Sequence, residues 1–349
     1  MDKVVIGMSG GVDSSVAALI LKNKGYEVIG VTLDVWQSDN IECGNKAKSD
    51  AKQVAKKLGI EHHIVDYVEK FKENVIAKFI SEYMDAKTPN PCNICNRFVK
   101  FTGLLEYAAS IGAKYIATGH YARVEQDTTT GRFYIRKSRS DKKDQTYALY
   151  NLTQEQLSHV LMPLGDYDKE EIRKIAAENG LMNAEKKDSQ EICFVPDKDY
   201  AAYIAKETGY ISKEGNFVDN AGNIYGKHKG IIHYTVGQRR GLGLSLKAPM
   251  YVLKLDKEKN NVVIGAENEL ERDTLVCKEI NWMLINELTE PLKVQAKIRY
   301  NAKPAYATLL PLDNGEVKVV FDLPVKGVAP GQACVFYIED KLLGGGIIV

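Results

Sequence analysis

Three stretches of the chain carry residue types that could do chemistry. In Gly7-Met8-Ser9-Gly10-Gly11-Val12-Asp13-Ser14-Ser15, two adjacent glycines let the backbone come close to an anion. Ser9, Ser14 and Ser15 add hydroxyl donors, and a helix opening here would add free N–H groups and a partial positive charge. That is the chemistry of a phosphate cradle. No Gly-Lys-Ser/Thr follows, so it is not a Walker A loop, and it is not a G-x-G-x-x-G fingerprint either. In Thr88-Pro-Asn-Pro-Cys92-Asn-Ile-Cys95-Asn-Arg97, the Cys-x-x-Cys spacing can put two thiolates on one zinc or one iron-sulfur cluster, or form a redox pair. The two prolines predict an extended loop ahead of the cysteines, with a helix starting at Asn96-Arg97. A thiol there, beside an arginine, is expected to ionise easily. The third stretch is Asp188-Ser-Gln-Glu-Ile-Cys193-Phe-Val, where Cys193 taken alone reads as a core cysteine in a strand. The plain readings of the first two are an incidental Gly-Gly turn and two unrelated buried thiols.

Positioning these groups requires a sheet. Lys3–Gly7 is a buried-strand pattern, Ser14–Lys24 is helix-like and ends at Gly25, and Glu27–Leu33 is a second strand. Apolar residues recur at helical spacing between Lys46 and Leu58, and Gly59 closes that helix. His62–Tyr67 reads as a strand and Phe71–Lys87 as a helix. Phe98, Phe101, Leu105 and Ala108 mark another helix, closed by Gly112, before the strand Lys114–Thr118. This alternation predicts an α/β fold with a parallel sheet, whose ligands bind beyond the carboxyl ends of the strands. Capping boxes are expected at Thr153–Gln156 and Asp168–Glu171. After Gly209 glycines become frequent and strands short. Leu292–Tyr300 and Glu316–Phe321 alternate, which predicts a small C-terminal β-barrel. The expected domains are 1–205, catalytic; 206–270, a small middle domain; and 271–349, the barrel.

The chain's 349 residues, 47 of them basic and 46 acidic, exclude a strong global field for nucleic acid but not a local basic patch. No apolar run approaches the roughly 18 residues of a membrane span. The start shows neither a long h-region nor a cleavage site, so a cytoplasmic protein without membrane contact is expected. The chain has six cysteines, of which only Cys92 and Cys95 cluster, so metal or redox chemistry is expected rather than a disulfide framework. Cys43, Cys277 and Cys334 read as ordinary thiols. Arg136 to Gln145 holds five basic residues against two acidic ones and could neutralise phosphates; a solvated charged loop is the plain reading. Lys227-His228-Lys229 and Gln238-Arg239-Arg240 are further candidates.

The loop SGGVDSS resembles the pyrophosphatase loop of the ATP pyrophosphatases. Together with TPNPxxxC, TGHYAR, KDQTYAL, DSxxICF, GQRRGLG and GGGII, it makes the chain similar, along nearly its whole length, to the bacterial tRNA-specific 2-thiouridylases. The resemblance implies an ATP-dependent transferase that 2-thiolates the wobble uridine of tRNA. It implies adenylation of the C2 oxygen, then sulfur transfer with release of AMP and pyrophosphate. ATP would lie on Gly7, Met8, Ser9, Gly10, Gly11, Val12, Asp13 and Ser14, with Leu33 and Gly119 flanking the nucleotide and Mg²⁺ beside Asp13. Cys193 would receive a persulfide and Cys95 would attack it. The family pattern has Asp where this chain has Cys92. Cys92, Cys95 and Cys193 could therefore hold a 4Fe-4S cluster that binds hydrosulfide. A persulfide relay and a zinc site, with His120 as a possible fourth ligand, stay open beside it. Asn90, Pro91 and Cys92 would abut the target base, while Lys143, Asp144, Gln145, Arg299 and Tyr300 would contact tRNA. The implied partners are tRNA and a cysteine desulfurase or sulfur-relay protein. Two other functions fit the first loop: another ATP pyrophosphatase-loop synthetase, or a non-catalytic iron-sulfur or RNA-binding protein.

Overall fold

The computed structural model describes residues 1–35, 41–183, 192–195 and 199–349, the side chains of 41–45 excepted. The chain opens on strands β1 (Lys3–Gly7), β2 (Glu27–Asp34), β3 (Glu61–Asp66) and β4 (Tyr115–Ala117), turns through a hairpin of β5 (Ala122–Gln126) and β6 (Phe133–Lys137), and returns in the short β7 (Val160–Leu161). Strands β1 to β4 and β7 form one parallel sheet in the order β3-β2-β1-β4-β7. Its central strand is apolar on both sides because helices cover both faces. Val4 and Ile6 pack toward helix α1 (Val12–Asn23) and helix α2 (Ile41–Leu58), whereas Val5 packs toward Phe101 and Leu104 on the other face. All three are fully buried. Each such side chain contributes about 1.5–3 kcal/mol of burial free energy. The α/β class and the parallel sheet are as the alternation predicted.

A four-stranded sheet follows, built from β8 (Gly215–Val218), β9 (Ile224–His228), β10 (Tyr251–Asp256) and β11 (Asn261–Gly265). The last part comprises β12 (Glu271–Trp282), β13 (Leu292–Lys297), β14 (Ala305–Pro311), β15 (Val317–Lys326), β16 (Ala333–Ile338) and β17 (Lys341–Ile348). They run β12-β15-β14-β13-β16-β17, and β17 pairs back onto β12 to close the barrel. Closure removes the edges an open sheet would leave unpaired. The expected barrel is therefore present. The hairpin β5–β6 joins it too, through Lys341 opposite Arg136, which ties the first part of the chain to the last. That hairpin was not anticipated: its alternation is cut by the turn at 127–131 and is short on each side.

Two local expectations change. The cysteine segment is helical from Pro91, which takes the first helical position, where its missing N–H costs nothing. Pro91–Cys95 continues into a π-helical turn, Asn96–Phe101, and then Thr102–Ser110. The cysteines thus lie on the helix and not in a loop before it. Cys193 sits in a turn, not a strand. Among the described residues no helix is long and apolar enough to cross a membrane. Both capping boxes form as read.

Candidate active site

The phosphate-type loop joins β1 to α1 at the carboxyl edge of the sheet. Gly10 adopts φ +70°, and a Cβ there would come within 2.5 Å of the Ala47 carbonyl oxygen. Ser14 Oγ donates to the Gly11 carbonyl at 3.1 Å and accepts from the Ser9 amide at 3.3 Å. Met8 and Val12 are buried under the loop, while Ser9 reaches solvent and Gly7, Gly11 and Asp13 are half-buried. Ser15 was expected to offer a donor to an anion. Instead it turns inward, donating to Gly11 O and accepting from the buried Asn183 Nδ2. Gly119 lies just beyond β4, so close to the start of α1 that a Cβ would stand 2.7 Å from the Ser14 amide nitrogen. Leu33, near the end of β2, packs over Gly103. Gly7, Leu33 and Gly119 thus share the carboxyl edge where parallel sheets bind ligands. The glycine-lined loop and the exposed Ser9 fit a nucleotide's phosphates.

Asp13 already has partners. Lys169 Nζ donates to both of its oxygens at 2.8 Å, and Tyr121 Oη donates to Oδ1 at 2.7 Å. Lys169 is only 9% exposed and lies on the first turn of Lys169–Glu178, just after the N-cap Asp168. A carboxylate beside phosphates needs a cation, and here the fold itself supplies one. The cap is written in four consecutive residues; the pairing of the adjacent Lys169 with Asp13 is set by the fold alone.

The cysteine helix is clamped from two sides. The Thr88 amide donates to Pro330 O at 2.8 Å, and Gln332 Nε2 donates to Thr88 O at 2.8 Å, fixing the TPNP segment on the barrel. Asn151 Nδ2 donates to Asn93 O at 3.0 Å, and Asn96 Nδ2 donates to Ala148 O at 2.8 Å. The KDQTYAL segment therefore runs alongside Cys92 and Cys95. On the far side, Phe194 is wedged 5.5 Å from Phe71, 5.1 Å from Phe79 and 5.5 Å from Tyr203, ring centre to ring centre. This wedge holds Cys193 beside the helix. Asp188 to Glu191 of the same motif lie outside the described residues, as does the Cys43 side chain.

Cys92 and Cys193 are exposed and Cys95 is buried. Burial pushes the Cys95 thiol up to about 12, opposed by Lys100 and reinforced by Cys193 and Cys92. This overturns the expectation of an easily ionised Cys95. The thiol sits under the helix's first turns, and the cost of burying its charge outweighs the nearby cation. Burial raises Cys193 as well, although its side chain reaches solvent, and Lys100 again opposes. The three thiols share one neighbourhood. They are not gathered around one point: among the described residues no group of three or more His, Cys, Asp or Glu could hold a metal ion. As arranged, the thiols do not fit a cluster or a zinc ion. His120, the possible fourth zinc ligand, bonds through Nδ1 to Thr118 Oγ1 at 2.8 Å, and burial first, then Lys100, push it down to about 3.

The expected RNA-facing residues converge here. Tyr300 lies within the electrostatic reach of Asp144, Lys143 and Cys92. Arg299 passes over Gly327, where a Cβ would stand 3.1 Å from its Nη1. Asn90 is half-buried and Pro91 buried. Asp144 accepts from Thr146 Oγ1 at 2.7 Å and Gln145 Oε1 accepts from the Tyr121 amide at 3.0 Å, so both side chains are held by the fold. Lys297, which the sequence reading passed over, lies over the rings of Tyr147 (5.7 Å) and Tyr300 (5.5 Å). The basic stretch before it is partly spent: Arg136 pairs with Asp340 and Glu125, and Arg139 with Glu171. His228 is a core residue, its Nε2 3.1 Å from the Asn260 carbonyl oxygen.

Comparison with known proteins follows these parts. A family model described as tRNA methyl transferase HUP domain matches residues 2–197. One described as tRNA methyl transferase PRC-barrel domain matches 202–266, and one described as aminomethyltransferase beta-barrel domain matches 272–348. Proteins named tRNA-specific 2-thiouridylase MnmA are similar over the full length. The one from Clostridium kluyveri is 54% identical over 353 residues, covering 99% of each chain. That from Acetivibrio thermocellus is 52% identical over 354 residues, again 99% of each. That from Clostridioides difficile is 51% identical over 352 residues, 99% of this chain and 98% of the relative. The chain belongs to the tRNA-specific 2-thiouridylase family.

Proposed function

We propose that this protein replaces the C2 oxygen of the tRNA wobble uridine with sulfur, using ATP. The nucleotide lies on Gly7–Ser14, with Leu33 and Gly119 beside it. The C2 oxygen attacks the α-phosphate, pyrophosphate leaves, and the oxygen becomes part of a good leaving group. A sulfur nucleophile then adds at C2 and AMP departs. Loop amides and the α1 N-terminus aimed at the phosphates supply positioning and electrostatic stabilisation. Magnesium beside Asp13 would share that carboxylate with Lys169, and the phosphates would be its other ligands.

Cys95 and Cys193 carry the sulfur chemistry in this reading, with Cys92 beside them. A 4Fe-4S cluster on all three is one carrier; the other is a persulfide on Cys193 that Cys95 attacks, closing a Cys95–Cys193 disulfide as the outer sulfur is released to C2. Their shared neighbourhood supports the relay. A cluster would first require the three sulfurs to be drawn together. Cysteine desulfurase or relay proteins would supply the sulfur. Asn90, Pro91 and Cys92 abut the base, and Lys143, Asp144, Gln145, Arg299 and Tyr300 contact the RNA. An anticodon-loop base is single-stranded, so drawing it into the cleft costs little. The domain division at 205 and 270 belongs to the same reading, and the three matched spans support it.

One observation carries the proposal. Barrel residue Tyr300 lies 6.0 Å from Tyr147 of the KDQTYAL segment, ring centre to ring centre, and that segment is bonded to the thiol helix by Asn96 Nδ2 donating to Ala148 O at 2.8 Å. The test is incubation with tRNA, ATP and sulfide. Equal amounts of 2-thiouridine, AMP and pyrophosphate are expected. Tight ATP and tRNA binding with no AMP release would mean a binding protein instead. AMP formation that is independent of tRNA would mean a different synthetase.

A further inference from the structure

A charged pair stands at the nucleotide edge of the sheet. Asp34 is the last residue of β2, directly after Leu33. Successive residues of a strand point to opposite faces. Leu33 packs over Gly103, in the helix Thr102–Ser110 on one face. Asp34 reaches α2 on the other face, where Lys48 Nζ donates to its Oδ2 at 2.5 Å. Among the described residues that is the carboxylate's one side-chain partner, and Oδ1 has no donor. The Asp34 side chain is 16% exposed and that of Lys48 22%, so the pair sits at a rim that solvent reaches.

Two contacts put this pair beside the phosphate-type loop. Ala47, which precedes Lys48 on α2, is the residue whose carbonyl oxygen would stand 2.5 Å from a Cβ on Gly10. In the sheet, Gly7 is in register with Val31, and the Met8 amide donates to Val31 O at 2.8 Å. Asp34 is therefore three residues beyond the level of Gly7 on the adjoining strand, about 10 Å at about 3.3 Å per residue. A nucleotide with its phosphates at the start of α1 and its base beside Leu33 has those two parts on opposite faces of the sheet. Its ribose crosses the end of β2, where Asp34 stands. In open parallel sheets a carboxylate about 20 residues past such a loop hydrogen-bonds ribose hydroxyls.

We propose that Asp34 accepts a hydrogen bond from a ribose hydroxyl of the bound ATP, and so selects a ribonucleotide over a deoxyribonucleotide. This rests on the ATP reading above. Oδ1 is the acceptor. Lys48 is a positioning residue: it occupies Oδ2 and holds the carboxylate at the strand end. An ionised acceptor makes a stronger bond to a hydroxyl than a neutral one does. The ion pair also ties α2 to β2, but that structural use draws no distinction between ATP and its deoxy forms.

Calorimetry of the full chain with ATP, 2′-deoxyATP and 3′-deoxyATP tests this without any turnover. Wild type should bind ATP about 10- to 100-fold more tightly than at least one deoxy form, the range of a hydrogen bond to a charged group. In Asp34→Ala that preference should shrink to about threefold or less, chiefly through weaker binding of ATP. Asp34→Val, with a side chain suited to a strand, is the second variant should Asp34→Ala lose its fold. Wild type that binds ATP and both deoxy forms within about threefold of one another overturns the proposal. So does a folded Asp34 variant that keeps the wild-type preference, since the carboxylate then only ties α2 to β2. Wild type that binds no ATP overturns the nucleotide reading itself, and the role of Asp34 with it.

Discussion

Replacing Lys169 with Met tests whether Asp13 depends on that lysine to coexist with phosphates. The ammonium bonds both Asp13 oxygens at 2.8 Å. Unit charges about 4 Å apart attract by about 4 kcal/mol at an effective dielectric of about 20. Two terms reduce this. Lysine desolvation opposes it, and 27% of the Asp13 side chain remains in solvent against 10% of the Lys169 side chain. A net coupling of about 1–2 kcal/mol remains, or about 5- to 30-fold in an equilibrium constant. In Lys169→Met the carboxylate faces ATP without its cation, so the Kd for ATP should rise by about that factor. The pair is isolated by a double-mutant cycle with Asp13→Asn, reading ATP affinity by calorimetry. The double variant should lose about 1–2 kcal/mol less than the two single losses summed. Additivity within about 0.5 kcal/mol would refute the reasoning, because independent sites add to that accuracy.

Phe194→Ala removes a ring held by Phe71, Phe79 and Tyr203 and should cost about 3 kcal/mol in urea unfolding; a loss under about 1 kcal/mol would mean the wedge does not anchor Cys193. His120 sits well below the unfolded value of 6.5, so its ring should stay neutral from pH 5 to 8, with flat ring-proton shifts by NMR. The sign follows: stability from the neutral ring is complete above pH 6.5 and falls below it, as the unfolded chain takes up a proton that the folded chain refuses. His120→Gln should remove that slope, and a ring titrating near 6.5 would contradict the burial. Arg299→Ala and Lys143→Ala should each weaken tRNA binding, leave the KM for ATP unchanged, and flatten the salt dependence by about 0.7–0.9 per lost phosphate contact; an unchanged slope would remove that residue from the interface.

The parts of this molecule legible in sequence are those set by local rules. Strand β1 shows as an unbroken apolar run because a central parallel strand is covered on both faces. The loop at Gly10 shows because φ +70° beside a carbonyl admits only glycine. Both capping boxes are written in four residues each. What failed was tertiary. Nothing in Cys-x-x-Cys reveals that Cys95 ends up buried, and its expected easy ionisation reversed for that reason. Ser15 looks like Ser14 in the string, and only the position of Asn183, far along the chain, turns it inward. Lys169 carries no motif of its own; its role comes from Asp13, which only the fold brings beside it. The hairpin β5–β6 was hidden because its partner strand, β17, comes from the other end of the chain.

The account stands on a uridine oxygen made reactive by ATP in the same cleft that delivers sulfur. Labelling the wobble uridine with ¹⁸O at C2 and following the label through one turnover tests this most directly. The account predicts one labelled oxygen in AMP for every 2-thiouridine formed. Label recovered in water or pyrophosphate, with unlabelled AMP, would contradict it.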